Sequence, residues 1–126
     1  MAVVIDTCGW IEWLTDGRLA ENYAPYLNKL DEVIVPTSIQ YELYKWVCRE
    51  ENESMALEVI GMTEQGIVEP LTTSTALLAA DLSTQHQLSF ADAIIYATAT
   101  NLQAVLVTSD NHFEGLQAVK YFKKSG

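Results

Sequence analysis

Two short apolar runs, Ala2-Val3-Val4-Ile5 and Ala104-Val105-Leu106-Val107, constrain the fold more than anything else in the sequence. Each is rich in β-branched residues and apolar throughout, with no polar residue alternating in. A run of that kind suits a strand buried on both faces, as in parallel sheets covered by helices on each side. Each run ends in a polar cluster, Asp6-Thr7 in the first case and Thr108-Ser109-Asp110 in the second. Val33-Ile34-Val35, stopped by Pro36, is a third run of the same type. Gly66-Ile67-Val68-Glu69-Pro70 reads as a short edge strand, and Val119-Lys120-Tyr121-Phe122 as a last strand.

Between these runs the apolar residues recur at helical spacing. Trp10, Ile11, Trp13 and Leu14 mark a helix over 9–14, broken by Asp16-Gly17. Tyr23, Tyr26, Leu27 and Leu30 mark a second, with Pro25 tolerable in its first turn. Ile39, Leu43, Trp46 and Val47 form the stripe of a third, which Thr37-Ser38 can cap. Met55, Val59 and Met62 mark a fourth after a polar hinge at 50–53, and 73–87 gives an Ala- and Leu-rich fifth. The sixth begins at Phe90 and is apolar on most sides, so it is packed on several faces. Ser89 and Asp92 at its start are spaced as a capping box. Strands alternating with helices predict a three-layer α/β/α fold around a mostly parallel central sheet, in one domain over residues 1–126.

No apolar run approaches membrane-spanning length, and the N-terminus lacks the basic start and long apolar core of a signal peptide. The expectation is a cytoplasmic protein with no membrane partner, in which Cys8 and Cys48, not spaced as a metal pair, stay reduced. The 17 acids and 7 bases leave a net charge of −10. That balance argues against a nucleic-acid partner held by protein cations alone. It leaves open an enzyme that meets phosphate with metal ions. Lys120, Lys123 and Lys124 cluster near the C-terminus and read as a solvated tail.

Four acids stand where such a fold would gather them. Asp6 and Asp110 follow apolar strands, at the sheet edge where ligands bind in open parallel sheets. Asp92 opens the sixth helix, and Glu42 lies inside the apolar sector of the third, where an unpaired carboxylate is costly. Each also has a structural reading: Asp6 and Asp92 as helix-cap residues, Asp110 as a turn residue, Glu42 as a rim position paired with Lys45 or Arg49. Taken together, the four predict one site. Clustered carboxylates ionise together only when cations neutralise them. An all-oxygen set suits Mg²⁺ or Mn²⁺, and two histidines without matching spacing set zinc aside. The chemistry that follows is metal-assisted phosphodiester hydrolysis.

The stretches Val4-Ile5-Asp6-Thr7, Glu42 on the third helix, Phe90-Ala91-Asp92-Ala93-Ile94-Ile95-Tyr96-Ala97 and Leu106-Val107-Thr108-Ser109-Asp110 resemble the four acidic motifs of PIN-domain ribonucleases. Within that family the sequence is most similar to VapC-type toxins of toxin–antitoxin pairs. The resemblance covers essentially the whole chain. It implies a hydrolase that cleaves RNA endonucleolytically with Mg²⁺ or Mn²⁺, forms homodimers and is neutralised by a cognate antitoxin. Asp6, Glu42, Asp92 and Asp110 are then the catalytic, metal-holding acids, and Thr108 a supporting hydroxyl. Cys8 departs from the Ser or Asn of many members. Two other readings remain: a phosphatase or dehalogenase with Asp6 as nucleophile, for which Cys8 stands where a second Asp is wanted, and a catalytically silent PIN-like interaction module. The aromatics Trp10, Trp13, Tyr41, Tyr44 and Trp46 exceed what a small core needs. Trp46 is expected inside, and some of the others are expected to line a groove for the antitoxin or the dimer partner.

Overall fold

A computed structural model describes residues 2–124. The chain runs β1 (Val3–Ile5), α1 (Thr7–Leu14), α2 (Ala20–Leu27), β2 (Val33–Pro36), α3 (Thr37–Glu50), α4 (Glu53–Thr63) and β3 (Ile67–Glu69). It continues with α5 (Thr73–His86), α6 (Phe90–Asn101), β4 (Val105–Thr108) and β5 (Val119–Tyr121), with 3-10 turns at Leu30–Glu32 and Asn111–Phe113. The five strands form one wholly parallel sheet in the order β3-β2-β1-β4-β5. Helices cover it in the three-layer α/β/α arrangement read from the sequence. None is long and apolar enough to cross a membrane among the described residues.

The central strand explains the composition of the runs. Val4 pairs with Ile34 on one side and Leu106 on the other, and Val4, Ile5, Val33, Val35, Leu106 and Val107 are sealed from solvent. Each such side chain contributes about 1.5–3 kcal/mol by leaving water. From β1 the chain steps outward to β2 and β3, then α5 and α6 carry it back to β4 on the other flank of β1. The winding direction reverses between β1 and β4, and the loops leaving their C-terminal ends diverge there to open a crevice.

The sixth helix is the most enclosed element. Seven consecutive residues, Ala93 to Ala99, are buried, and the alanines among them let α5 approach closely. Thr98 belongs in that surrounding because its hydroxyl donates to the Ile94 carbonyl at 2.7 Å.

Local boundaries depart from the sequence reading in several places. Pro36, expected to stop the second strand, is its last residue and pairs with Glu69, and α4 begins at Glu53, inside the expected hinge. The first helix opens at Thr7, two residues early, because Asp6 caps it. Leu30 falls in a 3-10 turn outside α2. Neither Thr37 nor Ser38 caps α3: Pro36 takes that position with no side-chain bond, and the Ser38 hydroxyl is buried without a partner. The tight passage from β2 into α3 leaves no residue between strand and helix to reach back.

Candidate metal-binding active site

Asp6 leaves β1 directly into the cap of α1. Its Oδ1 accepts from the Gly9 amide at 3.1 Å, which makes it the helix cap anticipated from sequence. The second oxygen faces β4, where the Thr108 hydroxyl donates to Oδ2 in a short hydrogen bond. Cys8 Sγ lies 3.1 Å from both oxygens. The side chain is almost closed to water at 4% exposure. Burial pushes its pKa from 3.8 up to about 6; bonds from Thr108, Cys8 and Gly9 restrain that rise, and the nearby Asp110 charge adds to it.

Across the crevice, Ser89 caps α6 by accepting from the Asp92 amide at 3.2 Å. The Asp92 carboxylate turns toward β4: Oδ2 lies 3.3 Å from His112 Nδ1, which lies 3.2 Å from Asp110 Oδ1. One ligand atom from each of Asp92, Asp110 and His112 falls within 4.8 Å of the others. Burial raises the Asp92 pKa, the Asp110 charge raises it further, and His112 and the Ser89 hydroxyl oppose both. Asp110 accepts from the His112 amide at 2.9 Å, while its own amide donates to Thr108 Oγ1 at 2.9 Å. The Thr108 hydroxyl therefore bridges the Asp6 carboxylate and the Asp110 backbone.

Glu42 is placed differently. It is half-buried and accepts from Thr7 Oγ1 at 2.5 Å, outside the group formed by Asp92, Asp110 and His112. Its link to the crevice runs through Thr7, which follows Asp6 in the chain.

Behind Asp6 lies a buried relay that sequence reading missed. Tyr23 on α2 donates to Ser109 Oγ at 2.9 Å, Ser109 Oγ lies 3.4 Å from Cys8 Sγ, and the thiol reaches Asp6. Gly9 makes room for it, since a Cβ there would sit 2.5 Å from the Tyr23 ring. Burial, with the Asp6 charge behind it, raises the Cys8 thiol pKa to about 11, so the sulfur stays protonated and can donate. His112 was missed too. The only signal was its position two residues after Asp110, which a search for spaced histidine pairs passes over.

Among the aromatics, Trp10 is fully buried with its indole N–H unpaired, and Trp46 is only half-buried against the core. Tyr41 is 65% exposed. The C-terminal lysines are not merely a solvated tail. Lys120 is part of β5, and Lys123 and Lys124 line a hollow of about 570 Å³ together with Asp110, Ser109 and Cys8.

The donor set fits a hard divalent cation. Asp92 and Asp110 repel one another and hold hard oxygens toward a common space, with one imidazole nitrogen beside them. Asp6, ionised above about pH 6, adds a third carboxylate beside Asp110.

Fold and site together define a parallel α/β protein with a carboxylate-lined crevice at its switch point. The sequence matches the family model of the PIN domain over residues 3–118, and the chain belongs to that family. No curated relative matches it. Among solved structures it is similar to a toxin–antitoxin complex from Klebsiella pneumoniae, at 20% identity over 94% of this chain and 95% of that one, with a TM-score of 0.78. It is also similar to VapBC2 from Rickettsia felis bound to a promoter DNA fragment, at 14% identity over 97% and 98% of the two chains, TM-score 0.75. A third is VapC20 from Mycobacterium tuberculosis, a toxin cleaving the sarcin–ricin loop, at 18% identity over 94% and 98%, TM-score 0.74.

Proposed function

We propose that this chain is a metal-dependent endoribonuclease, the toxin of a toxin–antitoxin pair. The observation that carries the reading is the gathering of Asp6, Asp92 and Asp110 at the switch point, with Thr108 joining two of them. Family membership and the toxins and toxin–antitoxin complexes among the similar structures support it. Asp92 and Asp110, assisted by Asp6 and with His112 beside them, would hold Mg²⁺ or Mn²⁺. When bound, such an ion lowers the pKa of water and offsets charge developing on phosphate oxygens. The chain's own residues do the rest. Thr108 fixes the Asp6 carboxylate, Ser89 fixes the start of α6 beneath Asp92, and Thr7 holds Glu42 beside the crevice.

The partners that follow are an RNA substrate, a cognate antitoxin and a second copy of the chain. Exposed Tyr44 on α3 is aromatic surface suited to a protein partner. Incubating RNA with the purified protein in Mg²⁺, in Mn²⁺ and in chelator tests the reading. Cleavage with either metal and none in chelator is expected, with loss of cleavage in Asp110→Asn. Equal cleavage with and without metal sinks the carboxylate chemistry. A folded, metal-loaded protein that cuts no RNA returns the chain to a silent interaction module.

A further inference from the structure

A chain of net charge −10 has to grip a polyanion somewhere if it cuts RNA. Its seven bases are not spread evenly. Lys123 and Lys124 line the hollow beside Asp110 and Cys8. Lys45 and Arg49, four apart on α3, line a second hollow of about 250 Å³ with Glu42 and Thr7. Thr7 and Cys8 are consecutive, and both follow Asp6. The two hollows therefore open on either side of the first turn of α1, one toward α3 and one toward the end of β5, with a candidate metal-site acid in each. Four of the seven bases sit on this edge. Lys29 and Lys120, by contrast, share a hollow with Val3 and Val105, the first residues of β1 and β4, at the opposite edge of the sheet.

We propose that Lys45 and Arg49 on one flank and Lys123 and Lys124 on the other hold the phosphates of one single-stranded RNA segment drawn across the acids between them. This rests on the nuclease reading above and adds the substrate's path. The cations are free for the task. The ion pairs among the described residues leave Lys45, Lys123 and Lys124 unused, and Arg49 meets only Glu50 in an exposed pair. Such a surface pair holds little energy, and the arginine can exchange it for phosphate. The Lys45 ammonium lies 5.8 Å from the centre of the exposed Tyr41 ring, so a stacking surface stands beside the charge. Two cationic flanks also offset the repulsion that the acids between them exert on phosphate.

The test measures binding of a labelled single-stranded RNA across a KCl series in chelator, with Asp110→Asn as the parent chain so that no trace metal supports cleavage. Each phosphate contact on a single strand contributes about 0.7 to the slope of log K against log salt. The double variant Lys123→Gln with Lys124→Gln should lower that slope by about 1.4, and so should Lys45→Gln with Arg49→Gln. Lys29→Gln with Lys120→Gln should leave it unchanged. Parent-like slopes in both flank variants overturn the inference while the nuclease reading stands, provided the wild-type chain cleaves RNA. No binding by the parent overturns it as well. If the Lys45 and Arg49 variant keeps its RNA slope but loses an acidic polypeptide such as poly-glutamate, that flank serves a protein and the path is wrong. Failure of the wild-type chain to cleave any RNA is the separate failure of the nuclease reading.

Discussion

Replacing Asp6 by Asn should shift the stability of the metal-free protein in a pH-dependent way, lowering it near pH 4 and raising it by pH 7. The buried carboxyl takes up its proton at about pH 6 in the folded chain and near 3.8 once unfolded. Below pH 4 both states hold the proton, and burial costs nothing extra. As pH rises from about 4 to about 6 the unfolded state has ionised and the folded state has not, so stability falls. A shift of roughly two units corresponds to about 3 kcal/mol lost by pH 7, at about 1.4 kcal/mol per unit. The Asn variant has no such proton. Its amide must place N–H groups among the donors that now serve Asp6, namely Gly9 N–H, the Thr108 hydroxyl and the Cys8 thiol. That mismatch costs about 1–2 kcal/mol, but equally at every pH. The stability of the variant relative to wild type should therefore rise by about 3 kcal/mol between pH 4 and pH 7. Urea unfolding in chelator, followed by tryptophan fluorescence at a series of pH values, reads it directly. Contributions from Asp92 are shared by both chains and cancel to first order. A relative stability that is flat or falls with rising pH refutes the claim that burial holds the Asp6 carboxyl above its ordinary pKa.

Asp92→Asn should melt no lower than wild type in chelator, because it relieves the repulsion with Asp110, yet lose nearly all cleavage. Ser89→Ala should cost on the order of 1 kcal/mol through the lost N-cap bond and still cut RNA; the reverse pattern would reduce Asp92 to a cap residue. Mg²⁺ or Mn²⁺ should raise the wild-type midpoint by mass action, about 2.7 kcal/mol at a hundred times Kd, and leave Asp110→Asn nearly unmoved; calorimetry showing no metal effect on wild type counts against the site. His112→Ala removes a contact that holds the Asp92 pKa down, so NMR titration of the Asp92 carboxyl should show it higher than in wild type, and an unchanged value dismisses the contact. Tyr23→Phe leaves the buried Ser109 hydroxyl without its donor and should cost about 1–2 kcal/mol in urea, whereas an unaffected midpoint would mean the relay adds nothing to stability.

Local signals in the sequence determined the elements and two of the caps. The runs at Val3–Ile5 and Val105–Thr108 are β-branched and unbroken because each strand is buried on both faces, and that requirement is visible residue by residue. Asp6 and Ser89 were legible as cap residues because a cap is settled within three residues of chain. That Asp6 and Asp110 come near one another could be inferred, since strand ends of a parallel sheet share one edge; Glu42, expected with them, stands outside the group of Asp92, Asp110 and His112. The tertiary structure alone decided who touches whom at that edge. Thr108 reaches Asp6 across 102 residues, Tyr23 reaches Ser109 across 86, and Thr7 takes Glu42 across 35. It also brought His112 to two aspartates and the lysines at 123 and 124 to the crevice. These contacts depend on β4 lying against β1, with β5 beyond it. Periodicity reports only which face of an element is buried. Strand order follows from how the faces of all the elements fill one core together, and no single stretch of the sequence carries it.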